Sequence, residues 1–373
     1  MKRLTQLTLL IFLSLSLFAN DGAFFANGNQ LIPMGETDIS VTKEVLTIKR
    51  RNKTQIDVTV YYEFINPKEL KKIIVGFESN IPSGDADPAP KNNGHPNIYN
   101  FTVDLNNTIL PYNVSLVTDS VYYKNGKVDG KALRDINKKL DWDEINDWGS
   151  TKYVYYFDAP FKKGLNTIKH TYTFDLSGSV TYNYDFDYVL SAAMRWGNHQ
   201  IDDFTLIIDM GDFEDFYINN KPFTDSEWIV TGIGKIIKNT ATTSWWDSDE
   251  GNKSTFDRFL MTKGQIIFQK KNYKPEGELF LFSERFYSEN WQSFDYEKQS
   301  TIPIFEIEYE DAADAISRKI LRNLPFARRG YVFSSPELKE YYANQVWYIP
   351  NPNYKADMQE LTPKEQQWVN RWK

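Results

Sequence analysis

The chain has 373 residues, a formal net charge of −7 and no cysteine. The length predicts two or three domains, and the missing cysteines exclude disulfide bonds and lipid attachment at an N-terminal cysteine. The acidic balance argues against nucleic acid or anionic lipid binding through the overall charge of the chain. An aromatic content of 16% argues against a disordered chain.

The first element in chain order has the three parts of a secretory signal. Lys2 and Arg3 precede an apolar and hydroxyl-bearing run over residues 4–18, and Ala19 precedes polar residues. The run is shorter than the about 20 residues that a membrane span needs. We therefore predict a signal peptide over residues 1–19, cleavage after Ala19, a secreted or periplasmic protein, and no transmembrane segment after cleavage. Leu17, where a small residue is preferred, keeps an uncleaved anchor as the alternative.

Apolar and polar residues then alternate from Ile39 to about Phe282, the pattern of strands with one buried face. Turn residues separate the runs at spacings typical of antiparallel sheets. We predict a mainly β fold with an antiparallel β-sandwich region over residues 20–300. This region is either one large domain or two smaller ones that meet near residues 198–202. The strands are predicted at residues 56–64, 73–77, 99–105, 112–117, 152–157, 167–174, 181–190, 204–210, 228–238, 265–270 and 277–282.

Helical spacing of apolar residues occurs first at residues 131–140, which predicts a short helix that either packs on the sheet or bridges two sheets. It returns after Thr301, where residues 311–324 form an amphipathic pattern. We expect this helix to end at Pro325, because proline lacks the N–H that a helix interior needs.

Two further helix starts follow. Ser335 and Pro336 are an N-cap and a first-turn proline, and Thr362 with Glu365 forms a capping-box pair. We therefore predict that residues 301–373 form a small helical module.

This module resembles the YARHG domain. Residues 326–333 read Phe-Ala-Arg-Arg-Gly-Tyr-Val-Phe, and residues 335–338 and 345–352 continue the family's motifs in order. The resemblance implies an extracellular bacterial domain with no established activity. Phe326 stands where the family usually has tyrosine, and Arg329 stands where it has histidine, so any role of that histidine is absent here. More loosely, the N-terminal part is similar to uncharacterised exported bacterial β domains, through residues 28–33, 37–41 and 61–67.

Aromatic and basic residues are the candidate binding sites. Trp245 and Trp246 are adjacent, so on a strand they point to opposite faces, and one could stack on a sugar or anchor a partner. The alternative places one ring in each of two packed layers. In the module, a cationic aromatic surface could be formed by Arg328, Arg329, Tyr331, Trp347 and Tyr348. The alternative places the rings in the core of a small domain. The residues predicted to shape the backbone are Gly330, Pro336, Pro350 and Pro352.

No motif predicts a catalytic centre, a metal site or a cofactor. The three histidines, His95, His170 and His199, lack a paired metal spacing, and no Gly-x-Ser-x-Gly elbow is present. The acidic loop at residues 247–252 departs from the EF-hand pattern, because it has Asn252 where glycine is needed.

These features favour an exported, non-enzymatic binding or structural protein of the bacterial envelope. Its C-terminal module would bind an envelope polymer or another exported protein. The alternative is an envelope hydrolase with paired carboxylates, or with a Ser/His/Asp site outside known motifs, in a β cleft.

Overall fold

The structure is a computed structural model that describes residues 31–34, 37–82, 86–118, 122–133, 151–179, 182–224, 227–240, 255–284 and 314–373. The described strands are β1 (Leu31–Pro33), β2 (Ser40–Arg50), β3 (Gln55–Asn66), β4 (Lys71–Asn80), β5 (Ile98–Leu105), β6 (Thr108–Ile109), β7 (Asn113–Val117), β8 (Tyr123–Lys124), β9 (Lys127–Val128), β10 (Lys131–Ala132), β11 (Lys152–Phe161), β12 (Gly164–Asp175), β13 (Tyr182–Tyr188), β14 (Ile201–Asp209), β15 (Glu214–Asn219), β16 (Ile229–Thr240), β17 (Phe256–Tyr273) and β18 (Leu279–Glu284). The mainly β fold is therefore confirmed.

Some predicted features fall outside these residues. They are the signal peptide at residues 1–19, both ends of the β region at residues 20 and 300, and Trp245 with Trp246. Most of the helix expected at residues 131–140 also lies outside, and its first two residues form strand β10 instead.

The strands form two large sheets within the described part of the chain. The smaller sheet has the order β1-β4-β11-β7-β10, and the larger has β13-β18-β15-β17-β14-β2-β3-β12-β5-β6, with β16 added on β17. Neighbouring strands are antiparallel, except that β2 and β14 are parallel. Strand β14 begins at Ile201, inside that candidate boundary, and it pairs with β2, which lies far before it, and with β17, which lies far after it.

The two sheets face each other and form one core. Strand β3 shows how the sequence produces it, because buried and half-buried residues alternate along its whole length. Phe77 of the smaller sheet packs against His170 and Tyr172 of the larger one, with ring centroids 5.1 and 5.2 Å apart. The sandwich prediction is confirmed by this packing.

The described α-helices lie near the C terminus and are α1 (Ala315–Arg328), α2 (Pro336–Ala343) and α3 (Pro363–Arg371). Helix α3 begins with the predicted capping box, in which Thr362 and Glu365 bind each other's backbone N–H. Helix α2 begins at Pro336 after Ser335, but the Ser335 hydroxyl does not cap it. That hydroxyl instead accepts from Lys319 Nζ (2.7 Å) and donates to the Glu337 carboxylate.

The prediction that α1 ends at Pro325 is wrong, because the helix continues to Arg328. A proline at this position leaves the Leu321 carbonyl without its usual N–H donor. The indole Nε1 of Trp368, on α3, donates to that carbonyl at 2.7 Å in a buried site. A side chain 47 positions away therefore supplies the hydrogen bond that the proline removes, and the helix can pass through it.

Replacing Trp368 by phenylalanine is expected to lower the free energy of unfolding of the module by about 1–3 kcal/mol, because the Leu321 carbonyl loses its donor. In a Pro325→Ala background the cost should be smaller by about 1 kcal/mol, since that substitution restores a backbone N–H four residues after Leu321. Native-state hydrogen exchange of the α3 amides measures both costs. Equal costs in the two backgrounds would contradict this account of the helix passing through Pro325.

Candidate interaction site in the C-terminal module

Arg328, the last residue of α1, lies inside the module. Its side chain is 2% exposed, and its guanidinium carbon lies 5.0 Å from the centre of the Trp347 ring. Such a cation–π contact is strong when it is removed from water. The structure thus brings two of the predicted site residues together, but below the surface.

Arg329 is the next residue and forms a two-pronged ion pair with Glu365 of α3. Its Nη1 and Nη2 atoms donate to the two carboxylate oxygens at 3.0 and 2.8 Å, and Nη1 also donates to the Pro325 carbonyl at 3.0 Å. Glu365 is fully buried. The pair therefore joins the end of α1 to the start of α3, and it occupies the position where the family usually has histidine.

Arg329 also reaches the β region. Its guanidinium carbon lies 5.4 Å from the ring centre of Phe213, in the turn between β14 and β15. Phe213 has a φ of 57°, which is costly for a bulky side chain. The turn thus holds a strained aromatic residue at the point where the helical module meets the sheet.

Gly330 ends α1 in a Schellman motif. Its N–H donates to the Ala327 carbonyl (2.8 Å), and the Tyr331 N–H donates to the Phe326 carbonyl (3.0 Å). Its φ is +84°, and a Cβ atom there would lie 2.4 Å from the Ile349 carbonyl oxygen. Only glycine fits this left-handed position so close to another backbone segment.

The segments after Gly330 and after Gln345 lie side by side and form what we call the Tyr331–Tyr348 patch, defined as Tyr331, Val332, Val346 and Tyr348. The Tyr348 hydroxyl donates to the Tyr331 carbonyl at 2.7 Å, and the Asn351 N–H donates to the Gly330 carbonyl at 2.8 Å. Val332 and Val346 are 46% and 50% exposed, whereas both tyrosines are half-buried. Hydrogen bonds therefore hold the two segments together, and each segment exposes one valine.

Other aromatic residues of the module form its core. Trp347 is buried with Tyr342, Trp368 and Trp372, and the ring centres of Trp368 and Trp372 are 5.7 Å apart. Pro350 and Pro352 are exposed, and the chain turns just after them, where the Tyr354 N–H donates to the Asn351 carbonyl (3.0 Å).

The module also differs in charge from the rest of the chain. Residues 314–373 contain ten lysine and arginine residues against six aspartate and glutamate residues, whereas the whole chain has 43 against 50. Arg328, Arg329 and Glu365 are largely removed from water, so the remaining basic residues outnumber the acidic ones at the module surface. This basic surface favours acidic partners.

Two carboxylates in the β region bear on the hydrolase alternative. Asp185 and Asp187 are two residues apart on β13, so they point to the same face. Asp185 is buried, and its Oδ2 atom has no hydrogen-bond partner within the described part of the chain. Burial raises the pKa of Asp185 to about 7, and the pKa of Asp187 is also raised, by burial and by the nearby Asp185 and Glu278.

Asp185 belongs to a row of side chains across four strands. It lies opposite Phe282 of β18, which lies opposite Tyr217 of β15, which in turn lies opposite Arg258 of β17. The rings of Phe282 and Tyr217 stack with centroids 5.1 Å apart, and the Arg258 guanidinium lies over Tyr217 at 5.4 Å. Aromatic rings thus lie between Asp185 and the guanidinium of Arg258, which pairs with Asp215.

The histidines do not form a catalytic set with serine and aspartate in the described part of the chain. The ring of His170 contacts the Thr102 carbonyl, that of His199 the Met194 carbonyl, and that of His95 the Asn80 carbonyl and the Asn97 N–H. Burial lowers the pKa of both His95 and His170 to about 4, so both are neutral at pH 7.

No group of three or more histidine, aspartate or glutamate side chains among the described residues is placed to hold a metal ion. No helix there is long and apolar enough to cross a membrane.

These observations define a mainly β protein that ends in a small, basic, aromatic helical module. That module is a YARHG domain, because residues 309–373 match the model of this family. The predicted resemblance is therefore confirmed, and the structure describes residues 314–373 of the match.

Comparisons with other proteins add less. No curated protein matches this sequence. A Legionella pneumophila protein, provisionally described as nutrient binding, is similar in structure, with 17% identity, 95% of this chain and 100% of that chain covered, and a TM-score of 0.46. A mutant M1 zinc metallopeptidase of Deinococcus radiodurans gives 10% identity, 66% and 43% coverage, and a TM-score of 0.26. At these TM-scores neither likeness assigns a fold or an activity to this chain.

Proposed function

We propose that this chain is an exported, non-enzymatic binding or structural protein of the bacterial envelope. Its YARHG module would bind an envelope polymer or another exported protein. The YARHG match and the signal pattern at residues 1–19 support export. Cleavage after Ala19 is part of this proposal.

The Tyr331–Tyr348 patch is the observation that carries the proposal. Exposed aliphatic side chains beside half-buried tyrosines are typical of binding surfaces, because the rings supply contact area at a low cost in conformational entropy. The patch needs little ordering on binding, since the hydrogen bonds of Gly330 and Tyr348 already fix its two segments. The excess of basic over acidic residues in the module as a whole favours an acidic partner.

The roles of the predicted site residues follow from their positions. Tyr331 and Tyr348 would contact the partner directly. Trp347, Arg328 and Arg329 would support the patch from below, through the cation–π contact and the ion pair with Glu365. Trp245 and Trp246 lie outside the described residues, and their role as an aromatic platform stays a prediction.

The test is a pull-down from envelope fractions with the wild-type protein and the Val332→Asp/Val346→Asp variant. Both valines are about half exposed, so the variant should fold while its patch repels an acidic partner. Loss of the captured polymer or protein is expected. The matched control is Ile316→Asp, which changes an equally exposed aliphatic residue in the first turn of α1. Unchanged capture by the double variant would refute the proposal.

The hydrolase alternative has one observation in its favour, the Asp185 and Asp187 pair with its raised pKa values. A protonated carboxyl near neutral pH can act as a general acid. The alternative requires the protein to hydrolyse envelope glycans and Asp185→Asn to abolish that activity.

A further inference from the structure

Three turns at one end of the sandwich are joined by buried asparagine side chains. Asn66 Nδ2, in the β3–β4 turn, donates to the Phe161 carbonyl of the β11–β12 turn (3.0 Å). Asn166 Oδ1 accepts from Lys162 N of that same turn (2.9 Å) and from Asn106 Nδ2 of the β5–β6 turn (3.0 Å). Because Asn66 and Asn166 are fully buried, these hydrogen bonds hold the three turns in fixed positions.

Each of these turns exposes one aliphatic side chain. Leu70 is 68% exposed, Ile109 is 67% exposed and Leu165 is 57% exposed, the three highest values for large apolar residues in the described part of the chain. Single exposed apolar residues need no explanation, but three on adjoining, rigidly connected turns indicate an interaction surface. We call residues 66–71, 105–109 and 161–165 the three-turn tip.

Lysines flank two of the three aliphatic residues of the tip, Leu70 and Leu165, whereas Ile109 lies opposite Asp104. The lysines are Lys68, Lys71, Lys72, Lys162 and Lys163. Their ion pairs use three carboxylates, because Asp38 pairs with both Lys68 (2.6 Å) and Lys71 (3.0 Å), Lys72 pairs with Asp158 (2.8 Å) and Lys163 pairs with Glu69 (2.8 Å). The tip is therefore locally positive on a chain whose net charge is −7.

We propose that the three-turn tip docks on an anionic lipid surface, a function separate from that of the YARHG module. Three protruding aliphatic side chains can enter the boundary between headgroups and acyl chains, where no complementary pocket is needed. The lysine stems can follow them while the ammonium groups bind lipid phosphates. The positive charge of the tip, and not the net negative charge of the chain, sets its attraction to a surface. At 0.1 M ionic strength, salt screens charges that lie more than about 10 Å away.

The test is co-sedimentation of the purified protein with vesicles of phosphatidylglycerol and phosphatidylcholine, and with vesicles of phosphatidylcholine alone. We expect binding to the anionic vesicles, and weaker binding as salt is raised. Leu70→Ser/Ile109→Ser/Leu165→Ser should reduce that binding by about tenfold or more. Lys162→Gln/Lys163→Gln should reduce it and weaken its salt dependence.

The matched control is Ile229→Ser/Ile316→Ser, which removes two exposed aliphatic side chains that lie outside both the tip and the Tyr331–Tyr348 patch. This variant should bind anionic vesicles as the wild type does. All variants share the same N-terminal segment, so any contribution of residues 1–19 is equal among them. The proposal is overturned if the wild type binds neither vesicle, binds both equally, or binds anionic vesicles no better than the tip variant does. Tip-dependent capture of another protein without vesicle binding would also overturn it.

Discussion

Asp185→Asn is expected to raise the free energy of unfolding by about 4 kcal/mol at pH 8, and to change it little at pH 3.5. Burial raises the pKa of Asp185 from its ordinary 3.8 to about 7. Below pH 3.8 the carboxyl is protonated in both the folded and the unfolded chain. Between pH 3.8 and 7 the unfolded chain loses this proton while the folded chain keeps it. The free energy of unfolding of the wild type therefore falls by about 1.4 kcal/mol per pH unit in this range. Asparagine has the shape of the protonated acid and carries no such cost.

Urea unfolding of the two proteins at several pH values between 3.5 and 8 measures this difference. Asp158→Asn is a matched control, because Asp158 is 58% exposed in a surface pair with Lys72 and should contribute less than about 1 kcal/mol at any of these pH values. A gain that does not grow with pH would show that the Asp185 carboxyl is not held protonated by burial. A residue that costs this much stability is a reason to examine the hydrolase alternative, since function commonly retains destabilising groups.

The period-two pattern was sufficient to find most of the β region, because burial of one sheet face fixes alternate residues locally. Strand β15 was missed. Its first residues, Glu214 and Asp215, look like a loop in the sequence, but both are buried. Their partners are Arg50 and Arg258, 164 and 43 positions away. The local sequence of a strand does not show which distant residues its side chains will pair with. It also does not show that β2 and β14 pair in parallel.

The candidate site shows the same limit. The capping box of Thr362 and Glu365 could be predicted, since its members are three residues apart. That Glu365 also binds Arg329, 36 positions away, could not. Asp185 could not be singled out among 50 acidic residues. The alternation of Asp185 with the aromatic residues Tyr184 and Phe186 indicates a strand with one buried face. It does not indicate that the opposite face, which carries Asp185, is buried as well.

Glu365→Ala should be among the most damaging single substitutions in the YARHG module, with an expected loss of about 3–5 kcal/mol in the free energy of unfolding. The substitution leaves the guanidinium of Arg329, 13% exposed, without its carboxylate. It also leaves the Thr362 N–H at the start of α3 without the side chain that accepts from it at 2.9 Å. Native-state hydrogen exchange of α1 and α3 amides reports the loss without requiring the whole chain to unfold.

The double variant Arg329→Met/Glu365→Leu separates the two causes of this loss. If the damage comes from a charge left without its partner, the double variant should be more stable than Glu365→Ala, because no charge remains to be desolvated. If the damage comes from the lost cap alone, about 1 kcal/mol in size, both should be equally weak. Arg329→His restores the residue usual in the family. Its stability should lie between those of Glu365→Ala and the double variant, since imidazole cannot donate two parallel hydrogen bonds to one carboxylate. A double variant less stable than Glu365→Ala would show that the ion pair itself, and not the burial of an unpaired charge, holds α1 and α3 together.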